Sequence, residues 1–280
     1  MTISVANAQV RPTGSGLDVL RWPAFDDRLV DAFVTTRHGG VSTGRYASLN
    51  LSLRVGDDDG HVLANRTTVA NALGAVLDDF VFCEQTHGPD VAVVTREHRG
   101  RGARSGSNAL PLTDALVTTV PGIVLAVLAA DCVPVVLHDP VAGVLACAHA
   151  GWRGTVRGVA PAAVAAMRRL GSDPANIVAG IGPAIHPDHY QVGADVAEAA
   201  RGAFGDRVDT VIRPDGPGRW TFDLWRANTL ALTAAGVPEN QVHVAAAATG
   251  PGTPFFSHRA QSSPCGRFAA VARLRGKDAP

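Results

Sequence analysis

Three side chains of the kind that bind a borderline metal stand beside glycine or proline: His87 in EQTHG, Cys132 in ADCVP and His149 in HAGWRG. A strand that stops at such a turn keeps its backbone fixed and aims its last side chain into a cleft. Two imidazoles, one thiolate and a fourth position left for water form a known catalytic zinc set. The same residues also read as a buried Cys, a buried His and a turn His. No helical pair or CxxC spacing ties them together, so residue type alone leaves both readings open. Asp131, beside Cys132, is a candidate general base or a carboxylate that orients a ligand. Arg37, just ahead of Gly39-Gly40, offers a fork and nearby amides to an anion, or is a solvated turn residue. Arg153 opens an expected helix, where an anion meets free N–H groups, unless it packs on Trp152. His186 and His189, in the proline-bounded GPAIHPDHY, read as surface histidines rather than a second metal site.

These residues need elements to position them. LDVLRW and VDAFVTTR read as strands, and the pattern from His61 to Leu73 predicts a helix closed by Gly74. Phe80–Cys83 and Val91–Val94 are short β-like runs, and residues 96–109 are expected to form a mobile Arg- and Gly-rich loop. DALVTTV, IVLAVLAA, VPVVLHD and AGVLACAHA read as buried strands. One amphipathic helix is expected from Thr155 to Leu170, then the strand NIVAGIG. Helices follow over Ala194–Phe204 and about Phe222–Ala235, and VHVAAAA and GRFAAVARL close the chain as strands. Many strands adjoin through turns too short for a crossover helix, so mixed sheets flanked by helices, an α+β sandwich, fit better than a doubly wound parallel sheet. Residues 1–16 read as a loose N-terminal arm and 17–280 as one domain.

With 46% apolar and 18% charged residues the chain can bury a generous core, and wholesale disorder is excluded. Twenty-five basic and 25 acidic residues cancel, which argues against a nucleic-acid surface. Nearly all the basic residues are arginine, with a single lysine at Lys277. MTISVANAQVRPTGSG has no basic patch followed by an apolar stretch, so no signal peptide is expected, and the apolar run from Ile123 meets Asp131 too soon to span a bilayer. Cys83, Cys132, Cys147 and Cys265 lack a disulfide framework. A cytoplasmic protein, monomer or homodimer, is expected. No GxGxxG or GxxxxGK[ST] marks a nucleotide loop.

In order, TTRHGGVS, SLNLSLRVGDD, EQTHG, DALVTT, ADCVPV, HAGWRGT, GPAI and FFSHR resemble the YfiH/YlmD family, the laccase-domain or polyphenol oxidase-like proteins. The resemblance runs from about residue 30 to 272. It implies a mixed α/β sandwich shared in outline with toxin-type cysteine hydrolases. It also implies one zinc ion held by His87, Cys132 and His149, with Cys132, His149 and Asp131 as the catalytic group. Arg37, Asn50, Arg153 and Arg259 are then the candidate substrate and phosphate contacts. The sequence departs from the family pattern at Ala247-Ala248, in place of a Cys-Thr pair, and at His258 in place of Tyr. It departs again at Ala260-Gln261, after Arg259, and at Asp188-His189-Tyr190-Gln191, in place of Cys-Cys-Tyr-Glu. These changes bear on substrate choice and leave the three ligands intact.

The resemblance implies phosphorolysis of adenosine, inosine and methylthioadenosine, with adenosine deamination as a second activity. The alternatives differ in kind. Cys132 and His149 could act as a metal-free nucleophile and base of an amidase that edits peptidoglycan precursors. A copper polyphenol oxidase, the older label, needs more histidines in HxH-like groups than the chain has. A metal-stabilised binding module without activity is the last.

Overall fold

The computed structural model describes residues 8–276. Its strands are β1 (Gln9–Pro12), β2 (Asp18–Arg21), β3 (Val30–Thr35), β4 (Phe80–Phe82), β5 (Val91–Val93), β6 (Ala115–Thr118), β7 (Val124–Ala129), β8 (Val133–Asp139) and β9 (Val144–Ala150). They continue as β10 (Val178–Ile181), β11 (Ala184–Ile185), β12 (Gln191–Val192), β13 (Ile212–Pro214), β14 (Trp220–Phe222), β15 (Val242–Val244), β16 (Ala248–Thr249) and β17 (Phe268–Leu274). The helices are α1 (Asp59–Ala72), α2 (Trp152–Val156), α3 (Val159–Arg169), α4 (Ala194–Phe204), α5 (Leu224–Ala234) and α6 (His258–Gln261).

Two six-stranded sheets carry the fold, ordered β1-β2-β3-β17-β7-β4 and β15-β10-β8-β9-β6-β5. Both are mixed. The first is antiparallel except for β4 beside β7, and the second is antiparallel except at its two edges, β15 beside β10 and β5 beside β6. The expected mixed-sheet α+β architecture is what the chain adopts.

The strands read as unbroken apolar runs because both of their faces are buried. Side chains alternate across a strand. In β8, Val133, Val135 and Leu137 face the helical layer of α3 and α5, while Val136 faces the other sheet. In β9, Ala146 and Ala148 face the helices, while Leu145 and Cys147 face the other sheet. In β17, Ala269 and Val271 join the cluster built with α1, and Phe268, Ala270 and Ala272 fill the space between the sheets. The result is four layers, with α1 outside the first sheet and α3 and α5 outside the second.

Three expected elements differ. The run VHVAAAA, expected as one strand, gives β15 in the second sheet and, after a break, β16, which pairs with β11 in a separate two-stranded sheet. Gln9–Pro12, placed in the loose arm, pairs antiparallel with Asp18–Arg21; residues 1–7 lie outside the described residues. The turn at Thr13–Gly16, closed by Gly16 N–H to Thr13 O, makes a hairpin where no apolar alternation announces one. The single helix expected over 155–170 is two helices, α2 and α3. Gly158 stands between them in the left-handed region at φ 84°, which glycine adopts without a Cβ clash. Among the described residues, no helix is long and apolar enough to cross a membrane.

Candidate metal and active site

The second sheet delivers its chemistry at one end. Cys132 immediately precedes β8, and His149 lies one residue from the end of β9, its Cα paired with that of Pro134. Antiparallel pairing therefore brings the start of one strand and the finish of the next together. Asp114 precedes β6 at the same end, where its carbonyl accepts the His149 amide at 2.8 Å. His87 comes from the connection between β4 and β5. The Gln85 side-chain amide pins that connection to the first sheet, donating to Leu128 O and accepting from Leu128 N–H.

Nδ1/Nε2 of His87 and His149 and Sγ of Cys132 lie within 4.8 Å of one another, and Cys132 Sγ is 3.9 Å from His87 Nε2. Three turns far apart in sequence form one cluster. It is the one group of three or more His, Cys, Asp or Glu donors placed to hold a metal among the described residues. The donor set suits zinc. Zn–S of about 2.3 Å and Zn–N of about 2.0–2.1 Å set tetrahedral S and N neighbours roughly 3.6 Å apart, so the 3.9 Å Cys132–His87 pair needs a few tenths of an ångström of movement and a pair at the 4.8 Å limit about an ångström.

Asp114 organises the cluster, and the sequence reading passed over it. Its carboxylate lies 2.9 Å from His149 Nδ1, which fixes Nε2 as the nitrogen turned towards the cluster. The same carboxylate accepts from the amides of Thr86, His87 and Gly88 at 2.8–2.9 Å and from the Thr86 hydroxyl. One buried acid thus shapes the EQTHG turn and aims two donors. His87 itself takes φ 61°, a left-handed conformation held by that nest of amides. The available signal was an aspartate opening the buried strand run DALVTTV.

The electrostatics follow from these contacts. Burial opposes ionisation of Cys132, but the charge and hydrogen bonds of His149 and then His87 outweigh it and bring the thiol down to about 6. Burial likewise opposes protonation of His149, yet Cys132 and Asp114 raise it to about 9. Burial would raise Asp114 too; its His149 and amide donors instead hold it at about 2. Cys132 and His149 thus each favour the charged form of the other, thiolate beside imidazolium. Cys83, Cys147 and Cys265 differ: burial raises all three thiols.

Gly151 explains the glycine of HAGWRG. A Cβ there would sit 2.8 Å from Cys132 Sγ and 2.8 Å from His87 Cδ2.

The remaining candidates part company. Asn50 is fully buried, and its amide is committed to the chain. Nδ2 donates to Ser52 O and Asp57 Oδ2, and Oδ1 accepts from Ser52 N–H and Arg267 N–H. Two donors and two acceptors are all that an amide offers, so Asn50 braces a loop and has nothing left for substrate. Arg37 stacks on Phe256 at 4.6 Å and donates from Nε to Ala47 O. Arg153 rests on Trp152 at 4.3 Å, at the start of a five-residue helix rather than the long one expected. Arg259 lies over Tyr190 at 5.3 Å. Asp131 is buried, with φ 82°; Oδ1 accepts from the Thr249 hydroxyl, and Oδ2 accepts from Arg259 N–H at 2.6 Å. His186 and His189 belong to no three-donor cluster among the described residues, and His186 packs edge-on against Trp225.

Fold and cluster together define a laccase-domain protein: residues 31–275 match the family described as multi-copper polyphenol oxidoreductase laccase. The chain belongs to this family and groups with its YfiH/YlmD members. It is 42% identical over 246 residues to purine nucleoside phosphorylase YlmD of Geobacillus stearothermophilus, covering 87% of this chain and 90% of that one. It is 43% identical over 246 residues to adenosine deaminase RL5 from an unknown prokaryotic organism, covering 87% and 94%. The crystal structure of YlmD from Geobacillus stearothermophilus superposes with a TM-score of 0.90 at 38% identity, covering 98% of this chain and all of that one. The YfiH protein of Bacillus licheniformis gives 0.89 at 37% identity, covering 95% and 97%.

Proposed function

We propose that this chain is a zinc-dependent purine nucleoside phosphorylase, acting on adenosine, inosine and methylthioadenosine, with adenosine deamination as a second activity. The observation that carries this reading is the convergence of His87, Cys132 and His149, oriented by Asp114, in a chain whose relatives bear both activities in their names. A zinc ion in that set supplies Lewis acidity, which makes water a nucleophile near neutral pH. His87, Cys132 and His149 hold it, and Asp114 keeps the His149 ring and the His87 turn in place. In phosphorolysis a phosphate oxygen bonds to the anomeric carbon as the bond to the purine nitrogen breaks; the base leaves with that electron pair and takes up a proton. Positive charge builds on the sugar, so an anion fixed beside it lowers the barrier. Arg37, Arg153 and Arg259, each laid on an aromatic ring, are the candidates to fix it.

A second reading has one observation behind it. Cys132, His149 and Asp114 stand in the order thiolate, imidazole and orienting carboxylate, which is the relay of a cysteine amidase. Metal content separates the two, because a ligated thiolate and imidazole are not free to act as nucleophile and base.

The test is product identification. Zinc-loaded protein and adenosine should give adenine and ribose 1-phosphate only when inorganic phosphate is present, and a smaller flux of inosine with or without it. Free ribose as the sugar product, or no nucleoside turnover in phosphate, would refute the proposal.

A further inference from the structure

Asp131 looks at first like a proton acceptor, since it adjoins Cys132 and is buried. Its contacts point elsewhere. The side chain turns towards β16 and α6, where the Thr249 hydroxyl donates to one carboxylate oxygen and the main-chain N–H of Arg259 to the other. A buried carboxylate with both oxygens engaged by fixed donors is poorly placed to collect a substrate proton, and well placed to fix what it holds. Its own backbone is fixed as well, because the Asp131 carbonyl accepts Ile185 N–H at 3.0 Å.

What it holds is the main chain at Arg259, from which the side chain springs. The guanidinium is then located twice more, with its face over the Tyr190 ring at 5.3 Å and with Nη2 donating to Gln191 O at 3.1 Å. Tyr190 is half-buried and stacks on Phe222 at 6.3 Å, so the platform is rigid. Arg259 is exposed, yet it is tied at the main chain, at one face and at one nitrogen. An exposed arginine normally loses rotamer freedom on binding an anion; here the chain has removed that freedom beforehand. The other N–H donors of the fork remain for a ligand. Asp131, whose carboxylate holds the Arg259 N–H at 2.6 Å, is the chain neighbour of Cys132, which puts this segment beside the metal cluster.

We propose that Asp131 and Tyr190 are positioning residues that hold Arg259 as a preset phosphate-receiving fork beside the His87–Cys132–His149 cluster. The proposal rests on the phosphorylase reading for the identity of the anion. It also gives Asp131 a task different from either role the sequence suggests, general base or carboxylate orienting a metal ligand, and it makes the Tyr190-Gln191 segment part of the site.

The test uses the full-length, zinc-loaded chain with two readouts: the phosphate KM with adenosine, and inorganic phosphate binding by isothermal titration without nucleoside. Asp131→Asn and Arg259→Ala should each weaken phosphate about tenfold or more, the scale of a lost charge-assisted contact. The double variant should be no weaker than Arg259→Ala alone, because both changes remove one device. Zinc content, the adenosine KM and the pH profile of kcat should stay as in the parent protein. Tyr190→Leu should weaken phosphate in the same way, and Tyr190→Phe, which keeps the ring, should restore it. That pair also serves if Asp131→Asn does not fold. A lost limb of the pH profile with phosphate affinity intact, loss of zinc in Asp131→Asn, or multiplying effects in the double variant would overturn the proposal. The two readings fail separately. Phosphate bound through Arg259 without nucleoside cleavage sinks the phosphorylase reading alone, whereas phosphorolysis by Arg259→Ala at the parental phosphate KM sinks this one alone.

Discussion

Cys132→Ser should lose bound metal and nucleoside turnover together, with turnover falling by about a thousandfold or more, as expected when a catalytic ion is no longer held. The loss is severe because serine offers a hydroxyl that stays protonated where the Cys132 thiol, brought down to about 6, is already a thiolate. Cys132→His should recover part of the metal, since imidazole is also a zinc ligand. The amidase reading predicts the reverse: unchanged metal content in Cys132→Ser, and abolition of turnover when metal-free protein is alkylated. Metal-free protein should in any case alkylate at Cys132 first as pH rises through about 6. Cys83, Cys147 and Cys265 are buried, with thiols held up by that burial, and serve as controls. Elemental analysis beside an adenosine assay decides between the two outcomes.

Gly151→Ala should be nearly as damaging, although it adds one methyl group and replaces no ligand. That methyl would sit 2.8 Å from both Cys132 Sγ and His87 Cδ2, and neither neighbour is the free end of a flexible chain. Cys132 is tethered at the start of β8, and the His87 turn is held by three amides on Asp114. The backbone at Gly151 is ordinary, at φ −72°, so alanine incurs no conformational penalty and the fold should persist. The expected result is an unchanged circular dichroism spectrum and a melting temperature within a few degrees of the parent, with zinc affinity down about 100-fold, the upper range for disturbed ligand positioning. Wild-type zinc affinity in Gly151→Ala would show that the cluster is looser than this packing implies.

Much of the fold was legible because its strands are simple. β7, β8, β9 and β17 are apolar on both faces, and a run of that kind between turn residues has few other readings. β1 was not legible. Its four residues are exposed and include no apolar alternation, so hairpin pairing with β2 decides its state. The division of α2 from α3 depends on one left-handed Gly158, and glycine within an alanine-rich helical pattern does not announce a break.

The site divides in the same way. His87, Cys132 and His149 were visible as donors at turns, but only the antiparallel register of β8 and β9 and the Asp114 nest bring them together. Asp114 was hidden because an acid before a strand looks like any turn residue. Asp131 drew notice through its neighbour Cys132, and its partners, Thr249 and Arg259, lie 118 and 128 residues away. Asn50 shows the opposite failure. A polar residue inside a recognised motif invited a substrate role, and the motif instead uses it to brace the 50–57 loop against Arg267.

Three donors from three turns make one mononuclear metal site, and elemental analysis of protein purified without added metal, paired with its nucleoside activity, tests this. Close to one zinc per chain is expected, and activity should be lost together with the metal when acid or a chelator removes it, because protons compete with zinc for the thiolate and the imidazoles. Two to four copper ions per chain, or full activity in protein with no bound metal, would contradict it.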